Sequence, residues 1–352
     1  MALQRAALWA IVIAATLHLL VVGRGLLLPL ILGLVLWYMV DALADSFERP
    51  RLRRMRLPRW LALLLAIGLL SGLAWVLGRA IRDNASAVIT AAPNYEGRLQ
   101  ALIAHGARLV GIEQVPTLAD LFNRISLAET LRDLASATAS IVSVAGIVLI
   151  YAGFLFVEQV QFRKKLSLMF RNDVQRSRVR SVLGQIDRDI KIYLRIKTTL
   201  AAATSAMAYG IMAWVGVDFA GFWAVLVFFL FYIPTVGSIL AILGPALLTL
   251  VQFDQLTPLF IVLFGVGLIQ IVMANVVEPA MMGRSLNLSP LVVIVSLTVW
   301  GTIWGVVGMF LCVPIMVVLL IVLAHFETTR PIAVLLSANG QIPEENPSEP
   351  GR

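Results

Sequence analysis

The chain is short of almost everything a soluble enzyme is built from. Charged residues make up only 14% of its 352 positions, and histidine occurs three times, as His18, His105 and His325. The single cysteine, Cys312, lies inside an apolar run, so a disulfide framework, a cysteine-based zinc site and a redox pair are excluded. No His-Glu-x-x-His, phosphate-binding loop or dinucleotide fingerprint occurs, which leaves no sequence basis for a zinc protease or for direct use of ATP by this chain. Gly237-Ser238, at an interruption of the hydrocarbon, invites comparison with an activated serine, but that motif is minimal and no histidine accompanies it. The chain is therefore read as no enzyme, with no cofactor and no metal expected.

What is abundant is hydrocarbon. Hydrophobic residues make up 60% of the chain and the mean hydropathy is +0.90, so the polar surface is too small to cover a soluble globule. This is the composition of an integral membrane protein. The net charge of +8 raises a nucleic-acid reading, yet the basic residues fall in two blocks between apolar spans, the pattern of cytoplasmic loops. Stacking aromatics in the second block are limited to Phe162, Phe170 and Tyr193, so no nucleic-acid partner is expected. Anionic lipid headgroups are the expected neighbours of these loops.

Taken in order, residues 1–80 read as a transmembrane hairpin, a basic cytoplasmic loop and a third span. The first apolar run is read as a retained helix, since no clear cleavage site follows it. The loop from Glu48 to Arg59 carries six arginines against one acid, which places it and the N-terminus in the cytoplasm; about eight spans put the C-terminus there too. Residues 81–138 balance their charges and carry short amphipathic helices, as an external section should. Residues 139–330 read as the transmembrane transport core, including a basic cytoplasmic segment at 159–197, and residues 331–352 as a disordered cytoplasmic tail.

The second half contains two short apolar runs punctuated by Gly and Pro, Val236 to Val251 and Leu291 to Val299. Each is shorter than the roughly 20 residues a span needs. Irregular backbone at membrane depth is tolerated only where protein or a wet cavity surrounds it, so paired broken segments point to a transport site. The expected fold is all-α: a polytopic membrane protein with about eight transmembrane helices and two re-entrant or broken helices.

Polar residues concentrate between Asn275 and Pro290. Asn275 and Glu278 are three apart and share a helix face. Pro279 should break that helix near the carboxylate, and Ser289-Pro290 reads as an N-cap followed by the favoured first helical residue. Glu278 admits two readings: an ionisable group at membrane depth, functional by default, or a loop carboxylate paired with Arg284. Asn275 and Asn287 either bind a cation or polar solute or cap helix ends. Gln252 and Gln270 read as interhelical hydrogen bonds, and Trp300 and Trp304 as an interfacial aromatic pair.

Phe231-Tyr232-Ile233-Pro234-Thr235-Val236-Gly237-Ser238, Asn275-Val-Val-Glu278-Pro279, Met282-Gly283-Arg284-Ser285-Leu286-Asn287-Leu288-Ser289-Pro290, Trp300-Gly301-x-x-Trp304-Gly305, Gly308-Met309 and Val313-Pro314 together resemble the autoinducer-2 exporter family of bacterial permeases. The layout matches over nearly the whole chain. The resemblance implies a multi-pass protein of the bacterial inner membrane that exports a small polar solute, such as the furanone-derived quorum signal. It also implies a homo-oligomer, with five copies the expected number. The expected path is lined by Pro234, Thr235, Gly237, Ser238, Asn275, Glu278, Pro279, Asn287, Ser289 and Pro290. Two alternatives stand beside it: sodium/proton antiport, with a monovalent cation as substrate and Glu278 carrying the proton, and a non-transporting membrane scaffold.

Overall fold

The computed structural model describes residues 2–48, 57–72, 74–75, 78–79, 127–169, 172–282 and 287–340. Among the described residues every element is helical, apart from one isolated antiparallel bridge between Leu288 and Ser337. The helices are α1 (Ala2–Val22), α2 (Arg24–Glu48), α3 (Arg59–Gly72), α4 (Leu127–Met169), α5 (Asp173–Val215), α6 (Ala220–Leu230), α7 (Val236–Gln252), α8 (Thr257–Met282), α9 (Pro290–Ala324) and α10 (Arg330–Leu336). Four of them, α2, α5, α8 and α9, are long and apolar enough to cross a membrane. Four more apolar stretches of 10–17 residues occur at Arg59–Gly72, Val144–Gln159, Ala220–Leu230 and Val236–Gln252. The protein is thus an all-α polytopic membrane protein. Residues 81–126 of the expected external section, residues 341–352 of the expected tail, and Arg284 lie outside the described residues.

The chain divides into two compact units. The first comprises Met1–Leu63, Ile150–Lys197 and Pro279–Arg352. Its packing centre is built from α9, where Leu311, Cys312, Val317 and Ile321 are buried, with Tyr193 and Leu194 of α5 also buried. A charge cluster joins three helices of this unit. The Asp41 carboxylate, fully buried on α2, pairs with Arg59 Nη2 at 2.5 Å and with Lys191 Nζ at 2.6 Å. Lys191 also reaches Asp187 at 3.1 Å and Asp45 at 3.3 Å. A carboxylate shut away from water is tolerable only with such partners, and removing the largely buried Lys191 costs about 3–5 kcal/mol, the half-exposed Arg59 less.

The second unit comprises Leu64–Leu149 and Thr198–Glu278. Short turns join α5 to α6, α6 to α7 and α7 to α8, so consecutive helices run antiparallel. Ala208 and Met212 of α5, Val227 of α6, Ala241 and Ala246 of α7, and Val262 and Val266 of α8 form one buried apolar cluster. The Trp223 ring packs over Gly244, where a Cβ would overlap it. Gln252 behaves as an interhelical bond: its Oε1 accepts the Asp218 N–H at 2.8 Å and its Nε2 donates to Gly216 O at 2.7 Å. These bonds fasten the end of α7 to the α5–α6 turn.

Helix length explains the unusual texture of this half. With 11 residues, α6 is about 16 Å long, and α7 with 17 residues about 25 Å, both short of a hydrocarbon core about 30 Å thick. The helix α9 is interrupted at Gly305, whose φ of 62° and ψ of −143° leave the helical region, so its first part is likewise short. Trp304, just before this break, is buried instead of sitting at an aqueous boundary, and its Nε1 donates to Leu20 O at 3.0 Å. The expected aromatic belt is here a helix-packing contact.

Candidate functional site

The α6–α7 connection is the tightest helix-to-helix turn among the described residues of the second unit. Val236 N–H donates to Pro234 O at 2.6 Å, closing a three-residue γ-turn around Thr235. Its φ of 60° and ψ of −62° are those of the rare positive-φ form of this turn. A β-branched residue at positive φ is a strained conformer, and strain of this kind collects at functional sites. Pro234 has no amide hydrogen to lose and sets the entry; Gly237 completes the reversal, because a Cβ there would overlap the Leu230 carbonyl oxygen. The buried Tyr232 hydroxyl, 2.7 Å from Thr198 Oγ1, pins the turn to α5. Thr235 is exposed, while Pro234 and Ser238 are half-buried.

The second irregularity lies in α8. Its α-helical part ends at Val272, a π-helical turn spans Met273–Val277, and α-helix resumes over Glu278–Met282. Helical backbone therefore continues through Pro279, where the sequence predicts a break. The π-turn supplies the reason: an interior proline clashes with the carbonyl four residues back, here Asn275, and a locally widened helix moves that carbonyl aside. Glu278 keeps helical angles, φ −60° and ψ −52°, and is half-buried. Asn275 is exposed within the π-turn, with its Nδ2 donating to Ile271 O at 3.0 Å. It is held to its own helix, the local role left open by the sequence.

These features share one end of the α7–α8 hairpin. The two helices are antiparallel and touch where a Cβ on Gly267 would lie 3.9 Å from the Ile242 side chain. Pro234 lies eight residues before Ile242 and Asn275 eight after Gly267, so each stands about 12 Å from that contact in the same direction. The γ-turn and the π-turn thus lie toward the same end of the hairpin, although Ser238, four residues before Ile242, and Glu278, eleven after Gly267, differ in level by about 10 Å.

Asn287, Ser289 and Pro290 belong to the first unit, as does Pro279. Asn287 adopts a positive φ of 34°, and its carbonyl accepts the Ala338 N–H at 3.1 Å. Ser289 N–H donates to Leu336 O at 2.9 Å, beside the Leu288–Ser337 bridge. Ser289 is the N-cap of α9 and Pro290 its first residue, as the sequence predicts, but the serine hydroxyl makes no capping bond. The partner of this segment is the end of α10, for which the sequence carries no signal.

Comparison with known proteins places these features in a wider group. Residues 8–328 match the family described as AI-2E family transporter. The AI-2 transport protein TqsA of Escherichia coli K12 is 32% identical over 317 residues, covering 89% of each chain. A Haemophilus influenzae protein named as a candidate transport protein is 28% identical over 290 residues, covering 80% of this chain and 82% of its own. A candidate transport protein of Escherichia coli K12, YhhT, is 34% identical over 149 residues, or 42% of each chain. The matched span takes in every broken segment described above, from the γ-turn at Thr235 to the interruption at Gly305, and on that ground the chain belongs to the AI-2E transporter family.

Proposed function

We propose that this protein exports a small polar solute across the bacterial inner membrane, with Pro234, Thr235, Gly237, Ser238, Asn275, Glu278, Pro279, Asn287, Ser289 and Pro290 on its path. The observation that carries the reading is the pairing of two non-α backbone segments, the γ-turn at Thr235 and the π-turn at Met273–Val277, at one end of the α7–α8 hairpin. In a membrane such loosened backbone needs protein or water around it, and transporters place their binding sites at discontinuous helices. The α6–α7 hairpin and the two parts of α9 act as re-entrant elements. Autoinducer-2 is the first solute to test, since a relative 32% identical is named for its transport. The chain works as a homo-oligomer, with five copies the number to test, and keeps both termini in the cytoplasm.

The half-buried Glu278 beside the π-turn favours a second reading, sodium/proton antiport with Glu278 carrying the proton. Flux measurements on proteoliposomes separate the two. Autoinducer-2 movement independent of a sodium gradient supports export, and sodium-driven proton movement that vanishes in Glu278→Gln supports antiport. An inert wild-type protein toward both would overturn the proposal.

A further inference from the structure

Among the described residues of the second unit, three side chains carry buried polar atoms with no hydrogen-bond partner: Gln270, Thr204 and, through its Nε1, Trp223. Gln270, on α8 three residues before the π-turn, is 1% exposed, yet neither its Nε2 nor its Oε1 has a hydrogen-bond partner. Thr204 on α5 is 0% exposed, and its Oγ1 is likewise unpartnered. Hydroxyls on helices normally find a carbonyl one turn back. Thr16 bonds Val12 O, Thr298 bonds Ile294 O and Thr302 bonds Thr298 O. Ser205, next to Thr204, donates across to Ala224 O at 2.7 Å. Thr204 does none of this.

Two of these groups, Thr204 and Gln270, lie at matching positions. On α5, Thr204, Ala208 and Met212 recur every four residues, and all are fully buried. On α8, Val262, Val266 and Gln270 recur at the same interval, equally buried. Residues four apart lie on one helix face, so each set is a stripe. Ala208, Met212, Val262 and Val266 belong to one packed cluster, and a Cβ on Gly265 would lie 3.0 Å from the Ile211 side chain. Because α5 and α8 run antiparallel and meet at Ile211 and Gly265, Thr204 and Gln270 lie seven and five residues from that contact toward the same end, within about 3 Å of one level.

We infer that Thr204 and Gln270 form a solute-binding subsite within the membrane, taking an uncharged hydroxylated molecule. This rests on the transport reading above and names the groups that recognise the cargo. A buried polar group without a partner destabilises the fold, a cost retained where something else satisfies it. The carboxamide offers a donor and an acceptor, and the threonine hydroxyl offers both in one atom. A solute hydroxyl, which also gives and accepts, satisfies them together. The two groups are neutral, and at this depth an ion lacking a counter-charge is costly, so their chemistry selects an uncharged cargo over a cation.

The test uses the full chain in proteoliposomes and in detergent, with autoinducer-2 and ribose as uncharged hydroxylated probes and sodium as a charged one. Gln270→Met and Thr204→Val remove the polar atoms at nearly constant volume. Each variant is expected to melt at the same or a higher temperature than wild type, because an orphan group has been replaced by hydrocarbon. Each should lower uptake of a transported uncharged probe by about tenfold, and weaken the melting shift that probe induces. The double variant should lose less than the product of the two, since both groups serve one ligand. Wild-type uptake that survives unchanged in both variants overturns the subsite and leaves the transport reading standing; lower melting with unchanged uptake does the same and marks a structural water. A wild type that moves and binds only sodium overturns the uncharged cargo, and one inert to every probe overturns subsite and transport reading together.

Discussion

Two of the described breaks in the membrane helices use the same steric device with different residues at the pivot. At the α6–α7 turn the pivot is Thr235, and two residues later Gly237 packs where a Cβ would overlap the Leu230 carbonyl. Within α9 the pivot is Gly305, and three residues later Gly308 packs where a Cβ would overlap the Trp300 carbonyl. The close-approach glycine is common to both, so chain reversal itself demands it. The pivot differs in kind. Gly305 occupies a region of backbone space open almost only to glycine, and does so at little cost. Thr235 holds a positive φ against its own branched side chain. Strain is absent from the break that packs the first unit and is kept at the break that faces the candidate path.

The largest effects should come from filling the close approaches. Gly237→Ala and Gly308→Ala each set a methyl against backbone, which cannot swing aside as a side chain would. Each is expected to cost about 2–3 kcal/mol or more and to lower the melting temperature in detergent. If the two melt alike, reversal rather than function explains both glycines. A variant that melts as wild type does would show that its break opens further than the close packing described above.

A smaller effect is expected at the pivot of α9. Around Gly305 a Cβ meets nothing within 4 Å, so Gly305→Ala carries only the torsional penalty, about 1–3 kcal/mol. Solute flux per folded molecule should stay near wild type, because this pivot serves packing. A loss of flux without a loss of stability would place Gly305 on the path and erase the contrast between the two breaks.

The sequence made the fold legible through hydrocarbon content and the spacing of Gly and Pro, because membrane helices need length and breaks need particular residues. The α6–α7 turn is readable from Ile233-Pro234-Thr235-Val236-Gly237 alone. Pro279 misled because its rule concerns α-helix, and the π-turn before it lets helical backbone continue. Asp41 was invisible as a buried group: its spacing from Asp45 and Glu48 marks one face of α2, but only tertiary packing brings Lys191 and Arg59 to it. Gln270 looked like one more interhelical bond, as Gln252 proved to be. A hydrogen bond that is missing leaves no trace in the sequence.

The finest test of the comparison exchanges the pivot itself. In Thr235→Gly the positive φ becomes free of strain, which stabilises the fold by about 1–3 kcal/mol. The same change loosens the unfolded chain, an opposing entropic effect of about 0.5–1 kcal/mol. The melting temperature should therefore rise slightly or hold, so a stability measurement alone says little. Flux decides. If the strained turn keeps Thr235 presented to the path, the glycine variant should fold at least as well as wild type and transport more slowly, because its turn samples other conformations and the exposed hydroxyl is gone. Thr235→Ser separates these two causes, since serine keeps the hydroxyl and restricts the turn more than glycine does. Flux restored in the serine variant assigns the role to the hydroxyl at a fixed turn, whereas flux equal to wild type in Thr235→Gly would make this break, like that at Gly305, a matter of packing.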